Sequence, residues 1–211
     1  CQGNYQIPDG VKKIGEGAFA GALHLQSVIF DQELMEIEEF AFSECISLDT
    51  PVLPQNLNRI ARNAFEYCTS FNTELIIPKS VVSVGSFAFF SDYDLKKITI
   101  EPDSNMERIG YGTFAYCGIE DFTVPENVSS MGQEVFSGCN NLIAVTFEAD
   151  SKLENMAAWT FSGAEELRQV TFEEGCQLKN IEARAFEGLI KLQRITIYNC
   201  GKLKTIGNYA F

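Results

Sequence analysis

The block Ile14-Gly15-Glu16-Gly17-Ala18-Phe19 returns, with drift, eight more times, as Ile37 to Phe42, Ile60 to Phe65, Val84 to Phe89, Ile109 to Phe114, Met131 to Phe136, Met156 to Phe161, Ile181 to Phe186 and Ile206 to Phe211. The closing phenylalanines are 23, 23, 24, 25, 22, 25, 25 and 25 residues apart. A period of this length, held from end to end, marks a solenoid whose units bury their apolar faces only against one another. Domain counting by length therefore does not apply, and residues 1–211 are expected to form one domain of about nine units, each 22–25 residues long.

One unit shows the internal plan. Ile14, Ala18, Ala22 and Leu25 lie at helical offsets with Phe19 beside them, which predicts a short helical or 3₁₀ segment shortened by the motif glycine. The following Leu25-x-x-Val28-x-Phe30 alternates as a strand does, and it returns as Leu95-x-x-Ile98-x-Ile100, Ile119-x-x-Phe122-x-Val124, Leu142-x-x-Val145-x-Phe147, Leu167-x-x-Val170-x-Phe172 and Leu192-x-x-Ile195-x-Ile197. Five of these strands carry a central threonine, Thr99, Thr123, Thr146, Thr171 and Thr196, which stacking would align as a ladder on the open face of a parallel sheet. Pro8, Pro54, Pro78, Pro102 and Pro125 close strands where a missing N–H does least harm. Each motif Phe reads as an inward filler whose burial contributes about 1.5–3 kcal/mol.

The strand pattern, taken with Ile-Gly-x-x-Ala-Phe-x-x-Cys-x-x-Leu, closely resembles the BspA-like branch of the leucine-rich-repeat superfamily over nearly the whole chain. That resemblance implies an α/β repeat solenoid, a right-handed superhelix with a parallel sheet on one face and short helical, 3₁₀ or extended segments on the other. It also implies proteins displayed outside the cell, mostly on bacteria, that act in adhesion or ligand recognition. Four departures are visible. Asp49-Thr50-Pro51 puts a proline inside a strand, Glu74 opens a strand with an extra residue before it, and Asp92 and Leu189 take the slot usually held by Cys or a small residue. Those units are expected to bulge or pair poorly.

Composition narrows the partners. Sixteen basic residues against 29 acidic ones leave a net charge of −13, spread along the array, and this field repels nucleic acid and anionic lipid. No apolar run approaches the roughly 18 residues needed to cross a bilayer, so this segment is not expected to insert into a membrane. The opening Cys1-Gln2-Gly3-Asn4-Tyr5-Gln6-Ile7-Pro8 resembles Cys117 to Pro125 shortened by one residue, and the chain stops inside a motif at Phe211. Both ends are therefore read as truncated relative to a longer array, with Cys1 either a ladder cysteine or a lipid-modified mature N-terminus.

Chemistry-bearing groups are sparse. Cys45, Cys68, Cys117 and Cys139 share one place after the motif Phe, and Cys176 and Cys200 share a later corner. Parallel side chains about 4.8 Å apart suit a disulfide poorly, so the cysteines are expected to be buried thiols. A zinc site would need four converging ligands, and a nucleophilic pair would need His24, the single histidine, which lies at a repeat junction. Glu38/Glu39, Glu165/Glu166 and Glu173/Glu174 read as solvated carboxylates. Glu101, Asp103, Glu148, Asp150, Glu173 and Glu174 gather at equivalent corners without calcium-loop spacing. Asn127-Val128-Ser129 is a lone glycosylation sequon. The expectation is a chain with no catalytic residue, no metal and no cofactor.

Recognition would then fall to the outward row of the sheet. Its candidate binding residues are Ile29, Val52, Ile76, Lys97, Thr99, Asp121, Thr123, Thr146, Gln169, Thr171, Arg194, Thr196 and Tyr198, and Ser27, Thr50, Glu74, Glu101 and Ala144 point outward between them. The function expected is a non-enzymatic, extracellular or cell-surface monomer binding a protein or glycan on a host or neighbouring cell. A spacer array, or the non-catalytic part of a larger surface enzyme, are the alternatives the residues leave open.

Overall fold

A computed structural model describes residues 2–200 and 203–211. Cys1, with its two readings, lies outside them. Among the described residues, the strands in chain order are β1 (Gln2–Gln6), β2 (Lys13–Ile14), β3 (His24–Ile29), β4 (Glu36–Ile37), β5 (Arg59–Ile60), β6 (Leu75–Ile77), β7 (Ser83–Val84), β8 (Ile98–Ile100) and β9 (Arg108–Ile109). They continue as β10 (Asp121–Val124), β11 (Ser130–Met131), β12 (Ala144–Phe147), β13 (Asn155–Met156), β14 (Gln169–Phe172), β15 (Asn180–Ile181), β16 (Arg194–Ile197) and β17 (Thr205–Ile206). Every pairing is parallel and joins one unit to the next. The result is a parallel β-solenoid of about nine turns.

Two ladders run along the coil. The wide one holds β1-β3, then β6-β8, then β10-β12-β14-β16, and the narrow one holds β2-β4-β5-β7-β9-β11 followed by β13-β15-β17. The wide ladder is missing at Thr50–Leu53, which forms no strand. Pro51 supplies the reason, since it has no N–H to give the neighbouring strand. A side chain bridges part of the gap, for the Thr73 N–H donates to Thr50 Oγ1 at 3.1 Å.

The helical segment expected after each motif isoleucine does not form, and no helix of any kind is present among the described residues. In its place the chain makes linked turns. The N–H groups of Asn63, Phe65 and Tyr67 donate to Ser86, Ala88 and Phe90 of the next unit at 2.9, 2.8 and 2.9 Å. Those of Glu66 and Cys68 donate back to Asn63 and Phe65 in their own unit at 3.3 and 3.2 Å. The alternation rests on two left-handed residues per turn, here Asn63 (φ 54°) and Tyr67 (φ 58°), with Phe40 and Glu44, Phe87 and Ser91, and Trp159 and Gly163 in the same places. An α-helix is about 10–12 Å across and keeps its N–H groups to itself. It cannot sit beside strands about 4.8 Å apart while each unit also bonds to the next on that side.

The core is a column of rings. Phe19, Phe42, Phe65, Phe89, Phe114, Phe136, Phe161, Phe186 and Phe211 stack in order, with centroids 4.9, 5.2, 5.5, 5.9, 6.0, 5.5, 5.3 and 5.3 Å apart. The seven central rings are fully buried, Phe19 is partly covered and Phe211 remains exposed. Leu25 in β3 and Leu75 in β6 are buried from the wide ladder, while Leu48, Leu95, Ile119, Leu142 and Leu167 join the core from the segments between strands.

Candidate functional site

All thirteen outward residues of the expected binding row are solvent-accessible, and none is buried. Strand alternation explains this, since Phe122 and Val124 point inward while Asp121 and Thr123 point out. The row has two chemically different halves. Around the break at Pro51, Ile29 is 59% exposed, Val52 85% and Ile76 48%. Two clefts meet there and share Thr50, Pro51 and Val52, one of about 310 Å³ reaching Ile29 and Gln32, the other of about 190 Å³ reaching Ile76 and Glu101.

The later half is a polar ladder. Thr123, Thr146, Thr171 and Thr196 stand in register across β10-β12-β14-β16. The Gln169 amide donates to Thr171 at 3.0 Å, while Lys97 pairs with Glu74 at 3.1 Å and Thr99 donates to the same carboxylate. Those hydrogen bonds, that of Thr99 first, hold Glu74 below the usual carboxylate range.

The cysteines divide differently from the expectation. Cys45, Cys68, Cys117 and Cys139 are buried free thiols, as expected. Each S–H donates to the motif Phe carbonyl of the preceding unit: Cys45 to Phe19 at 3.1 Å, Cys68 to Phe42 at 3.2 Å, Cys117 to Phe89 at 2.9 Å and Cys139 to Phe114 at 3.1 Å. Burial pushes Cys45 up to about 11 and Cys139 up to about 12, far from nucleophilic range. His24, the base such chemistry would need, is exposed at the start of β3.

Cys176 and Cys200, by contrast, are joined in a disulfide with Cα atoms 4.9 Å apart, which corrects the reading of them as thiols. Each follows a left-handed residue, Gly175 (φ 84°) or Asn199 (φ 48°). The pair therefore sits on a turn of the coil, outside the strand ladders whose parallel side chains discouraged bonding, and at a normal Cα separation for a bridge.

Two of the corner carboxylates are engaged in structure. Glu101 accepts from the Lys79 N–H and the Gln55 amide, both at 3.0 Å, and Glu148 accepts from the Glu126 N–H at 3.0 Å. Glu38 lies in an ion cluster with Lys13 at 2.7 Å and Arg59 at 2.5 Å, and Glu166 pairs with Lys191. Among the described residues no group of three or more His, Cys, Asp or Glu side chains is placed to hold a metal ion. The sequon residue Asn127 is tied down, its amide donating to the Ser104 carbonyl at 2.8 Å.

A second surface was not anticipated from the sequence. On the linked turns of units three to five, Phe90 makes edge contacts with Tyr67, Phe87 and Tyr116 at 5.6, 5.4 and 5.4 Å, and Phe87 meets Tyr111 at 5.0 Å. Gly112 and Gly138 make room for it, since a Cβ on either would lie within 2.7 Å of the Phe87 or Tyr116 ring. A hydrogen bond to Glu134 holds the Tyr111 phenol up at about 12. Aromatics at the third, fourth, seventh and eighth motif places were the available signal.

Comparison with known proteins agrees with this architecture. The pneumococcal vaccine antigen PcpA shares 18% identity and a TM-score of 0.62, with 100% of this chain and 69% of that one covered. The leucine-rich repeat protein of T. pallidum shares 21% identity and a TM-score of 0.62, covering 90% and 77%. A leucine-rich cell surface protein from Faecalibacterium prausnitzii A2-165 shares 20% identity and a TM-score of 0.59, covering 97% and 78%. No curated protein sequence is similar enough to count as a relative. The BspA type leucine-rich repeat region, in six copies, matches residues 2–117 and 90–211. Repeat, fold and sequence match thus agree that the chain belongs to the BspA type leucine-rich repeat family.

Proposed function

We propose that this array is a non-enzymatic recognition module, displayed outside the cell, that binds a protein or glycan partner through its wide sheet face. The observation that carries the reading is the apolar exposure of Ile29, Val52 and Ile76 on one sheet face, around two adjoining clefts that share Thr50, Pro51 and Val52. The threonine and charged row beyond it supplies the polar part of such an interface. Display outside the cell is supported by the family, by a structural neighbour named as a cell surface protein, and by the Cys176–Cys200 disulfide, which belongs to oxidising compartments. No helix among the described residues is long and apolar enough to cross a membrane.

The test is a matrix-protein and glycan array probed with the wild type and three charge-preserving or charge-adding variants. Val52→Glu and the set Thr123→Glu, Thr146→Glu, Thr171→Glu are expected to lose a specific hit, and Tyr67→Ser with Tyr116→Ser to retain it. Binding unchanged in both sheet-face variants sinks the sheet-face reading. Loss in the tyrosine variant alone moves the site to the aromatic surface, and an absence of any specific hit favours a spacer.

A further inference from the structure

Asp92 is the least explained side chain among the described residues. It is fully buried, and neither carboxyl oxygen has a hydrogen-bond partner. Buried polar atoms are satisfied in all but a few cases, so each exception calls for a cause. The repeat supplies one. Asp92 stands three residues after Phe89, in the slot held by Cys68 in the unit before and Cys117 in the unit after. In those units the slot carries a donor, the S–H, aimed at the preceding Phe carbonyl. The acceptor matching Asp92 is the Phe65 carbonyl, which receives the Cys68 N–H at 3.2 Å and no side-chain donor.

A carboxylate has no proton to give, so in its ionised form Asp92 would be a buried charge facing a carbonyl oxygen. A carboxylic acid has one O–H, the same single donor a thiol offers. We infer that Asp92 is a neutral carboxylic acid in the folded array, donating to the Phe65 carbonyl as the fifth member of the thiol ladder, and that its ionisation loosens the coil at the fourth unit. The titratable groups that act on it are Glu66 and the flanking Cys68 and Cys117 thiols, and none is a cation. Burial, the largest influence, holds the acid well above the ordinary aspartate range, and Glu66 adds to it. The Cys68 backbone pulls the other way, but its N–H is already given to Phe65.

The sign follows from proton counting. Above the ordinary aspartate value of about 4 the unfolded chain has lost this proton and the folded chain keeps it. Folding therefore binds a proton, and the unfolding constant rises with pH, up to about tenfold per unit, until the folded group itself ionises. This runs opposite to Glu38, Glu74 and Glu166, whose lowered values make their contribution fade as pH falls.

Two measurements decide the matter. A ¹³C NMR titration of side-chain carboxyls in the wild type should show one that stays protonated at pH 7 and resists titration while the array is folded. Finding every carboxyl ionised at pH 7 overturns the inference, and this arm needs no variant to fold. In urea unfolding at pH 5 and pH 8, the ratio of the wild-type unfolding constant to that of Asp92→Cys, which restores the thiol, should rise at least about tenfold. Asp92→Asn, which keeps a donor and cannot ionise, should track Asp92→Cys. A ratio that is flat between the two pH values overturns the proposal equally.

Discussion

Phe114 shows how much of this fold is decided one side chain at a time. Its ring touches Phe89, Phe136 and Phe122 at 5.9, 6.0 and 5.0 Å and is fully buried. Removing it by Phe114→Ala is expected to cost about 3–5 kcal/mol, because the stacked rings on either side cannot collapse into the space. Phe211→Ala, at a ring that is 61% exposed, should cost much less, and chemical denaturation of both variants checks the contrast. That these phenylalanines point inward was legible from their repetition. The role of the cysteine slot was not, because a thiol's acceptor belongs to the preceding unit and the sequence does not show which carbonyl faces it. Asp92 therefore read as a departure from the usual slot residue, when among the described residues it is the one buried acid.

At the scale of elements, the strands were legible and the segments between them were not. Alternation of Val145, Thr146 and Phe147 identifies a strand because period two has one structural meaning. The spacing of Ile14, Ala18, Ala22 and Leu25 has two, since linked turns with left-handed residues can space inward side chains much as a helix does, and here they bury Ile14 and Leu25 while Ala18 is exposed. Left-handed Phe40, Tyr67 and Phe87 give no local warning, because such residues ordinarily avoid that region and here give their N–H groups to carbonyls of the next unit. The break at Pro51 was legible, and its cause can be tested. Pro51→Thr restores an N–H and should slow amide exchange across Thr50–Leu53 and its neighbours; exchange unchanged from wild type would place the cause elsewhere. The disulfide is testable too. Reduction of Cys176–Cys200 is expected to lower stability by about 2–4 kcal/mol. A Cys176→Ser, Cys200→Ser double variant should melt at the reduced wild-type midpoint and ignore reductant.

For the whole molecule, stability in a stacked array is the sum of unit and neighbour terms, so damage should stay local. A chain ending at Phe186 is expected to keep the circular dichroism of a folded coil with a lower midpoint. Complete unfolding would show that the array is one indivisible cooperative body. The acidic surface, net −13, belongs to the same scale and was readable without coordinates. What the sequence by itself determined was the period, the inward column, the outward row and the family, because the motif is written nine times and the strand pattern six, and repetition averages away local ambiguity. What only the tertiary structure decided was the path of the chain between strands, the bonding of Cys176 to Cys200, the aromatic surface around Phe90 and the predicament of Asp92. Each of these depends on what the neighbouring unit places about 4.8 Å away, a contact between residues some two dozen positions apart that no local pattern encodes.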